Sequence, residues 1–435
     1  MHASERLARW RPGLAGRLDP QLLRVLAAIG AGVIGALVVW LFHQALEYAE
    51  VLLYDQSDGL VAAARGLPAW QRIITPVLGG LAAGTLLWLW NRSRSGPVRH
   101  ADDYIEAVTI GDGRLDLRAG LGKVLACFLV VIAGGAVGRE GAMVLLAALA
   151  CSLVGARWRH LIDLRLTVAC GVAAGFAAAY HAPLASSLFI AEVLLGSLAL
   201  AAIGPVILAA VTSALITYAL SGDAKLYQVA ASAPLDASGL ALVALIGVVA
   251  GVLGPLFLAW LDASRKGFAW LSWPLPLQLA AGGLLVGLVS VLRPEAWGNG
   301  YSAVQALLLA PMAWQVVTLI LLCKLIAVAG SIGSGAPGGV FTPTLLVGAA
   351  FGQLVSQLIA VFLPGIGHPL LFTISGMGVF LAATTHAPVM STLMVLEMTG
   401  QVQLLLALLP ACVIAAGISR RLRSASIYAG HRERD

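Results

Sequence analysis

The sequence predicts an all-α polytopic membrane protein built from two related halves, on three observations. Of its 435 residues, 60% are hydrophobic and only 11% charged, against about 25% charged in soluble domains. Apolar runs recur along the chain, for example 25–42, 74–90, 124–137, 240–260, 302–323 and 402–418. About 20 apolar residues cross a bilayer as a helix, and several of these runs reach or approach that length. The third observation is a fifteen-residue phrase that occurs twice.

Taken in order, residues 1–24 are rich in Arg and Pro and read as a cytoplasmic segment without a cleavable leader. Residues 25–220 read as a first transmembrane repeat, 221–238 as an external connector, and 239–419 as a second repeat. Residues 420–435 read as a cytoplasmic tail. Outside the apolar runs there is no stretch that would make a soluble domain of useful size. Arginine gathers in short flanks: Arg6, Arg9, Arg11 and Arg17; Arg92, Arg94 and Arg99; Arg157, Arg159 and Arg165; Arg420, Arg421 and Arg423. The positive-inside rule puts these flanks and both termini in the cytoplasm, which requires an even number of crossings. The net charge of +6 therefore marks helix ends at a membrane and not a nucleic-acid surface. Five cysteines, Cys127, Cys151, Cys170, Cys323 and Cys412, stand in apolar segments without metal-ligand spacing and read as small buried hydrophobes.

The repeated phrase is "AAYHAPLASSLFIAE" (178–192) and "ATTHAPVMSTLMVLE" (383–397). His181, Ala182, Pro183, Ser186, Leu188 and Glu192 recur 205 residues later as His386, Ala387, Pro388, Ser391, Leu393 and Glu397. Apolar bias matches apolar columns, but it does not match His, Pro and Glu together, so the chain is internally duplicated. The connector carries one Lys against two Asp, as an external segment does. A first half that begins inside and ends outside has an odd number of crossings, so the second half runs inverted. Such repeats are a transporter architecture with binding near the midplane.

Glycines break the apolar segments at matching places. "GGAVGREGAMVLL" (134–146) holds Arg139 and Glu140, the only charges between Lys123 and Arg157, and "GSGAPGGVFTP" (333–343) answers it in the second half. Broken backbone at membrane depth is tolerated where it is buried in protein or lines a wet cavity. Helix N-termini ending there present free N–H groups and positive dipole ends to an anion. Close helix packing explains a single glycine-rich break equally well, and a buried Arg–Glu pair that only locks two helices is the plain alternative for residues 139 and 140. A third possibility is an intramembrane serine hydrolase using Ser334 and His386, although Ile332 occupies the place where that pattern wants glycine. No His-Glu-x-x-His metalloprotease motif occurs.

Together, "GREGA" (138–142), "GSGAPGGVFTP" (333–343), "GNGYSAVQ" (298–305) and the two "HAP…E" phrases resemble the CLC family of chloride channels and proton/chloride exchangers, over nearly the whole chain and closest to its bacterial ClcB branch. The resemblance implies a homodimer in the bacterial inner membrane, one anion pathway per subunit and no cofactor. The short tail leaves no room for the CBS pair of many eukaryotic relatives. By motif, Glu140 matches the gating glutamate, whose carboxylate occupies an anion site until it swings away or takes a proton. Arg139 would offset part of its desolvation cost. The anion would be held by Gly138, Arg139, Glu140 and Gly141 from one half and Gly339, Val340 and Phe341 from the other, with the N–H groups of Val340 and Phe341 on the central chloride. Tyr428 matches the tyrosine that closes this site, an interfacial aromatic anchor being the alternative.

Two departures stand out. The family's pore serine loop has no clean counterpart: Ser95 heads the only Ser-Gly-Pro, a few residues too far upstream. At Val193, proton-coupled bacterial members carry a glutamate, so the inner proton relay is missing here. Glu192 and its mate Glu397 read as structural, helix-end residues. The expectation is a chloride-selective carrier, channel-like or loosely proton-coupled and gated by Glu140, serving as an electrical shunt in acid stress. A coupled proton/chloride antiporter is the alternative.

Overall fold

The computed structural model describes residues 19–429 except Ser57, 93–99, 159–161, 196–199, 223–224, Ala230, Ser232, Pro234 and 364–367; Ser95 lies outside the described residues. Every regular element among them is helical. The first half holds α1 (Pro20–Tyr54), α2 (Leu60–Gly66), α3 (Ala69–Arg92), α4 (Tyr104–Thr109), α5 (Leu117–Ile132), α6 (Glu140–Gly155), α7 (Leu164–Tyr180), α8 (Pro183–Phe189) and α9 (Leu200–Ser221). The second holds α10 (Ala237–Trp270), α11 (Leu275–Leu292), α12 (Tyr301–Leu309), α13 (Trp314–Gly333), α14 (Phe341–Phe362), α15 (Pro369–Thr385), α16 (Pro388–Thr399) and α17 (Leu405–Leu422). Among the described residues, 8 helices are long and apolar enough to cross a membrane.

The halves repeat each other in order, from the long openers α1 and α10 (35 and 34 residues) to the closing pair α9 and α17. His181 and His386 end α7 and α15 in the left-handed region, at φ 55° and 60°. Positive φ is uncommon for a residue with a Cβ, so its recurrence at equivalent positions is inherited geometry. Next, Pro183 and Pro388 occupy the first turn of α8 and α16, where a missing N–H costs nothing. The N-cap residues Ala182 and Ala387 offer no side-chain acceptor.

Each repeat caps the other. Glu397 accepts from the N–H groups of Leu184 (3.1 Å) and Ala185 (2.8 Å), and Glu192 accepts from Val389 (3.3 Å) and Met390 (2.8 Å). Glu192, just past α8, satisfies the start of α16, and Glu397, in the last turn of α16, satisfies the start of α8, so α8 and α16 lie antiparallel. This assigns both glutamates the helix-end role expected from their duplication. Elsewhere the halves join through α3 against α11, and α14 meets α15 at contact distance: a Cβ on Gly352 would lie 1.9 Å from the Phe372 carbonyl oxygen.

Local chemistry moved several boundaries. α1 starts inside the expected N-terminal segment because Asp19 accepts the Gln21 N–H (3.0 Å) and Pro20 opens the helix. α17 runs into the expected tail, placing Arg420 and Arg421 in its last turn, where the dipole favours cations. The run 124–137 ends as a helix at Ile132, before Gly134 turns left-handed (φ 87°). The run 302–323 is two helices: Pro311 excludes helical geometry from Ala310, which is extended (φ −152°, ψ 144°). Residues Ile190–Leu195, which carry Glu192 and Val193, form a π-turn, the wider helical turn that recurs at functional sites.

Candidate functional site

The two glycine breaks meet. Gly138 donates its N–H to the Gly339 carbonyl (2.6 Å) and accepts from the Gly339 N–H (2.9 Å), a two-residue antiparallel bridge between the halves. From this bridge α6 and α14 set out, with Arg139 and Val340 as their N-cap residues. The first-turn N–H groups of both helices have no intrahelical acceptor, so two positive dipole ends converge on one place.

Glu140 sits there, 7% exposed. Its Oε1 accepts from Asn299 Nδ2 at 2.6 Å, and among the described residues its buried Oε2 has no hydrogen-bond partner. The seat is close-fitting, since a Cβ on Gly138 would lie 2.4 Å from that Oε2. Among the described residues, no hydrogen bond or ion pair joins Arg139 to Glu140. Its guanidinium donates to His43 Nε2 on α1 (2.9 Å). Because arginine only donates, this imidazole nitrogen accepts, and His43 Nδ1 is left to donate to Glu47 (3.2 Å).

Two cavities are lined by residues that flank or hold Glu140. The larger, about 980 Å³, is lined by Gly141, Gly339, Val340, Phe341, Tyr180 and Tyr428, with Lys123 and Arg265 supplying positive charge and Asp102 and Asp103 negative. The smaller, about 290 Å³, is lined by Arg139, Asn299, His43, Glu47 and Glu50. The chain neighbours of Glu140 divide between the two, Arg139 lining the smaller cavity and Gly141 the larger. Phe341 rests on Tyr180 (4.9 Å between ring centroids), and Tyr428 meets Phe189 edge-on (5.3 Å). The Ile427 N–H holds the tail to the Thr384 carbonyl at 3.0 Å, which brings Tyr428 to the same cavity as Val340 and Phe341. Tyr227, in the connector, stacks on Tyr301 (5.0 Å). Burial first, then the charges of Tyr301 and Glu140, push its phenol well above the usual range.

The structure thus brings Gly138, Arg139, Glu140 and Gly141 to the glycine bridge with Gly339, Val340 and Phe341, and Tyr428 shares the lining of the larger cavity. The N–H groups of Gly138 and Gly339 are engaged in their mutual bridge. Val193 stands apart, partly buried in the π-turn. Among the described residues, no hydrogen bond joins the hydrolase candidates. Ser334 donates to the Ser331 carbonyl (2.9 Å), and His386 bonds Ser419 (3.1 Å). Three groups at the site escaped sequence reasoning: His43, Asn299 and Lys324. Only Asn299, between two glycines, and Lys324, a lone charge in an apolar helix, carried a local signal.

Residues 79–420 match the family described as voltage gated chloride channel. The chain belongs to the CLC family. The voltage-gated ClC-type chloride channel ClcB of Salmonella typhimurium strain LT2 is 49% identical over 411 residues, 94% of this CLC chain and 98% of its own. The protein of that name from Escherichia coli O81 is 50% identical over the same shares. The crystal structure of a slow cyanobacterial Cl−/H+ antiporter superposes with a TM-score of 0.81 at 24% identity, covering 95% of this CLC chain and 97% of that one. A CLC-type fluoride/proton antiporter follows at 0.73 and 23%, covering 94% and 96%. At these identities the two structures speak to fold alone. These four relatives are named as channels and antiporters.

Proposed function

We propose that this CLC protein carries chloride across a bacterial inner membrane by a channel-like or loosely proton-coupled route, with Glu140 as its gate. One observation carries it: the buried Glu140 carboxylate rests against the glycine bridge at two converging helix N-termini, and its neighbours Arg139 and Gly141 line two separate cavities. An ionised carboxylate there competes with a permeant anion for the same positive dipole ends. Protonation removes its charge and releases the seat, so anion flux rises on acidification. Gly141, Val340, Phe341 and Tyr428 serve the anion from the larger cavity. A valine at 193 supports weak coupling, because it cannot titrate, and Glu192 beside it is committed to the start of α16. Charge balance in acid stress is the physiological role such a shunt would fill. The family resemblance supports two copies per assembly, and the arginine-rich flanks support cytoplasmic termini.

The test is purified protein in liposomes under an imposed chloride gradient, with anion efflux and internal pH followed together. Glu140→Gln should leave efflux nearly independent of pH. Wild-type pH dependence retained in that variant would remove Glu140 from the gate.

A further inference from the structure

The function proposed above uses Glu140 but not the polar groups that hold it. Asn299 lies in "WGNGY" (297–301), between Gly298 (φ 68°) and Gly300 (φ 101°), so the backbone turns left-handed on both sides of it. Its Oδ1 accepts the Tyr301 N–H at 3.1 Å, at the start of α12, while its Nδ2 donates to Glu140 Oε1 at 2.6 Å. The two bonds fix the amide, since a flip would set N–H against N–H and oxygen against carboxylate. Asn299 is therefore purely a donor towards the gate.

The loop that carries it is clamped from below. Lys324 of α13 is 0% exposed, and its ammonium faces four successive carbonyls: Gly298 (2.6 Å), Ala296 (3.2 Å), Glu295 (3.4 Å) and Trp297 (3.5 Å). Arg65 pairs with Glu295 at 2.7 Å, and the Gly298 N–H bonds the Gly134 carbonyl at 3.1 Å. A buried lysine in a membrane helix is costly, and its usual place is at a functional site. Here it fixes the residue next to Asn299.

We propose that Asn299 is the latch of the gate: its amide holds the ionised Glu140 carboxylate in the blocking seat and so sets the pH at which the pathway opens. This rests on the gating role proposed for Glu140. A donor supports the charged carboxylate about twice as strongly as the neutral acid. Cys127 of α5, Tyr180 of α7 and Tyr227 of the connector are the titratable groups that feel the gate's charge. Arg139 is turned to His43 of α1, with Glu47 and Glu50 in the same cavity lining. Among the described residues, Asn299 is the one side chain that bonds the carboxylate.

Chloride efflux from liposomes, measured between about pH 4 and 8, tests this in wild type, Asn299→Ala, Asn299→Asp and Glu140→Gln. Losing the donor should move the flux midpoint up by about one pH unit in Asn299→Ala, the size expected of one charge-assisted bond. Asn299→Asp keeps the shape and the bond to Tyr301 but turns an acceptor towards the gate, so it should shift at least as far. In the Glu140→Gln background, both changes should have no effect on the profile. Unshifted midpoints in both Asn299 variants, with a flat Glu140→Gln profile, would overturn the latch while leaving the gate intact. A Glu140→Gln profile like wild type would overturn both.

Discussion

Gly138 and Gly339, one from each repeat, exchange two backbone hydrogen bonds of 2.6 and 2.9 Å. Each glycine ends a break in its half, so the bridge fixes the mutual position of two helix N-termini by main-chain atoms alone. Main-chain donors need no side-chain rotamer to be frozen, which makes the site between them rigid at small entropic cost.

Gly138→Ala should unseat the gate. The added Cβ would lie 2.4 Å from Glu140 Oε2 and 3.0 Å from the Gly339 carbonyl, and the flexible carboxylate yields before the backbone does. Efflux at neutral pH should rise towards the Glu140→Gln level, with a flatter pH profile. A profile identical to wild type would show that the carboxylate does not rest against Gly138.

Tyr428→Ala and Phe341→Ala should each weaken anion binding partially, because both line the larger cavity but neither carries charge. For Tyr428→Ala, loss of one neutral hydrogen bond from the hydroxyl corresponds to roughly a fivefold loss of affinity, whereas Phe341→Ala removes only the ring and keeps the backbone N–H. Isothermal titration with chloride or bromide reads this directly. Unchanged binding in both variants would leave the anion to the backbone N–H groups alone.

A chloride gradient should drive little or no uphill proton movement in the wild-type protein, while passive chloride flux stays measurable. Proton transfer needs titratable groups or ordered water, and the π-turn offers Val193 together with a glutamate bound to two N–H groups. A proton current of fixed stoichiometry that reverses with the chloride gradient would refute this. Val193→Glu need not restore coupling, because the neighbouring helices must also hydrate a new carboxylate.

Glu192→Gln and Glu397→Gln should behave alike. Each removes an ionised acceptor from two first-turn N–H groups of the opposite helix, costing roughly 1–3 kcal/mol per variant. A fall in melting temperature for both, with the pH profile of flux retained, is the expected pair of results. A changed pH profile in Glu192→Gln alone would give that residue a proton-handling role its mate lacks.

The sequence by itself determined the helical membrane class, the duplication and the positions of both glycine breaks. These are local properties, written in the hydropathy of neighbouring residues and in phrases that match letter for letter, and helices satisfy their backbone within themselves. The motif residues Gly138–Gly141 and Gly339–Phe341 meet at the glycine bridge for the same reason: the breaks that mark them are backbone features. What the tertiary structure alone decided is who bonds to whom. Arg139 turned to His43, 96 residues away, and not to the glutamate beside it. Asn299 reached Glu140 across 159 residues, and Glu192 and Glu397 exchanged helix ends. A buried polar group must find a partner, but its own neighbourhood in the chain does not say which distant group the packing brings within 3 Å.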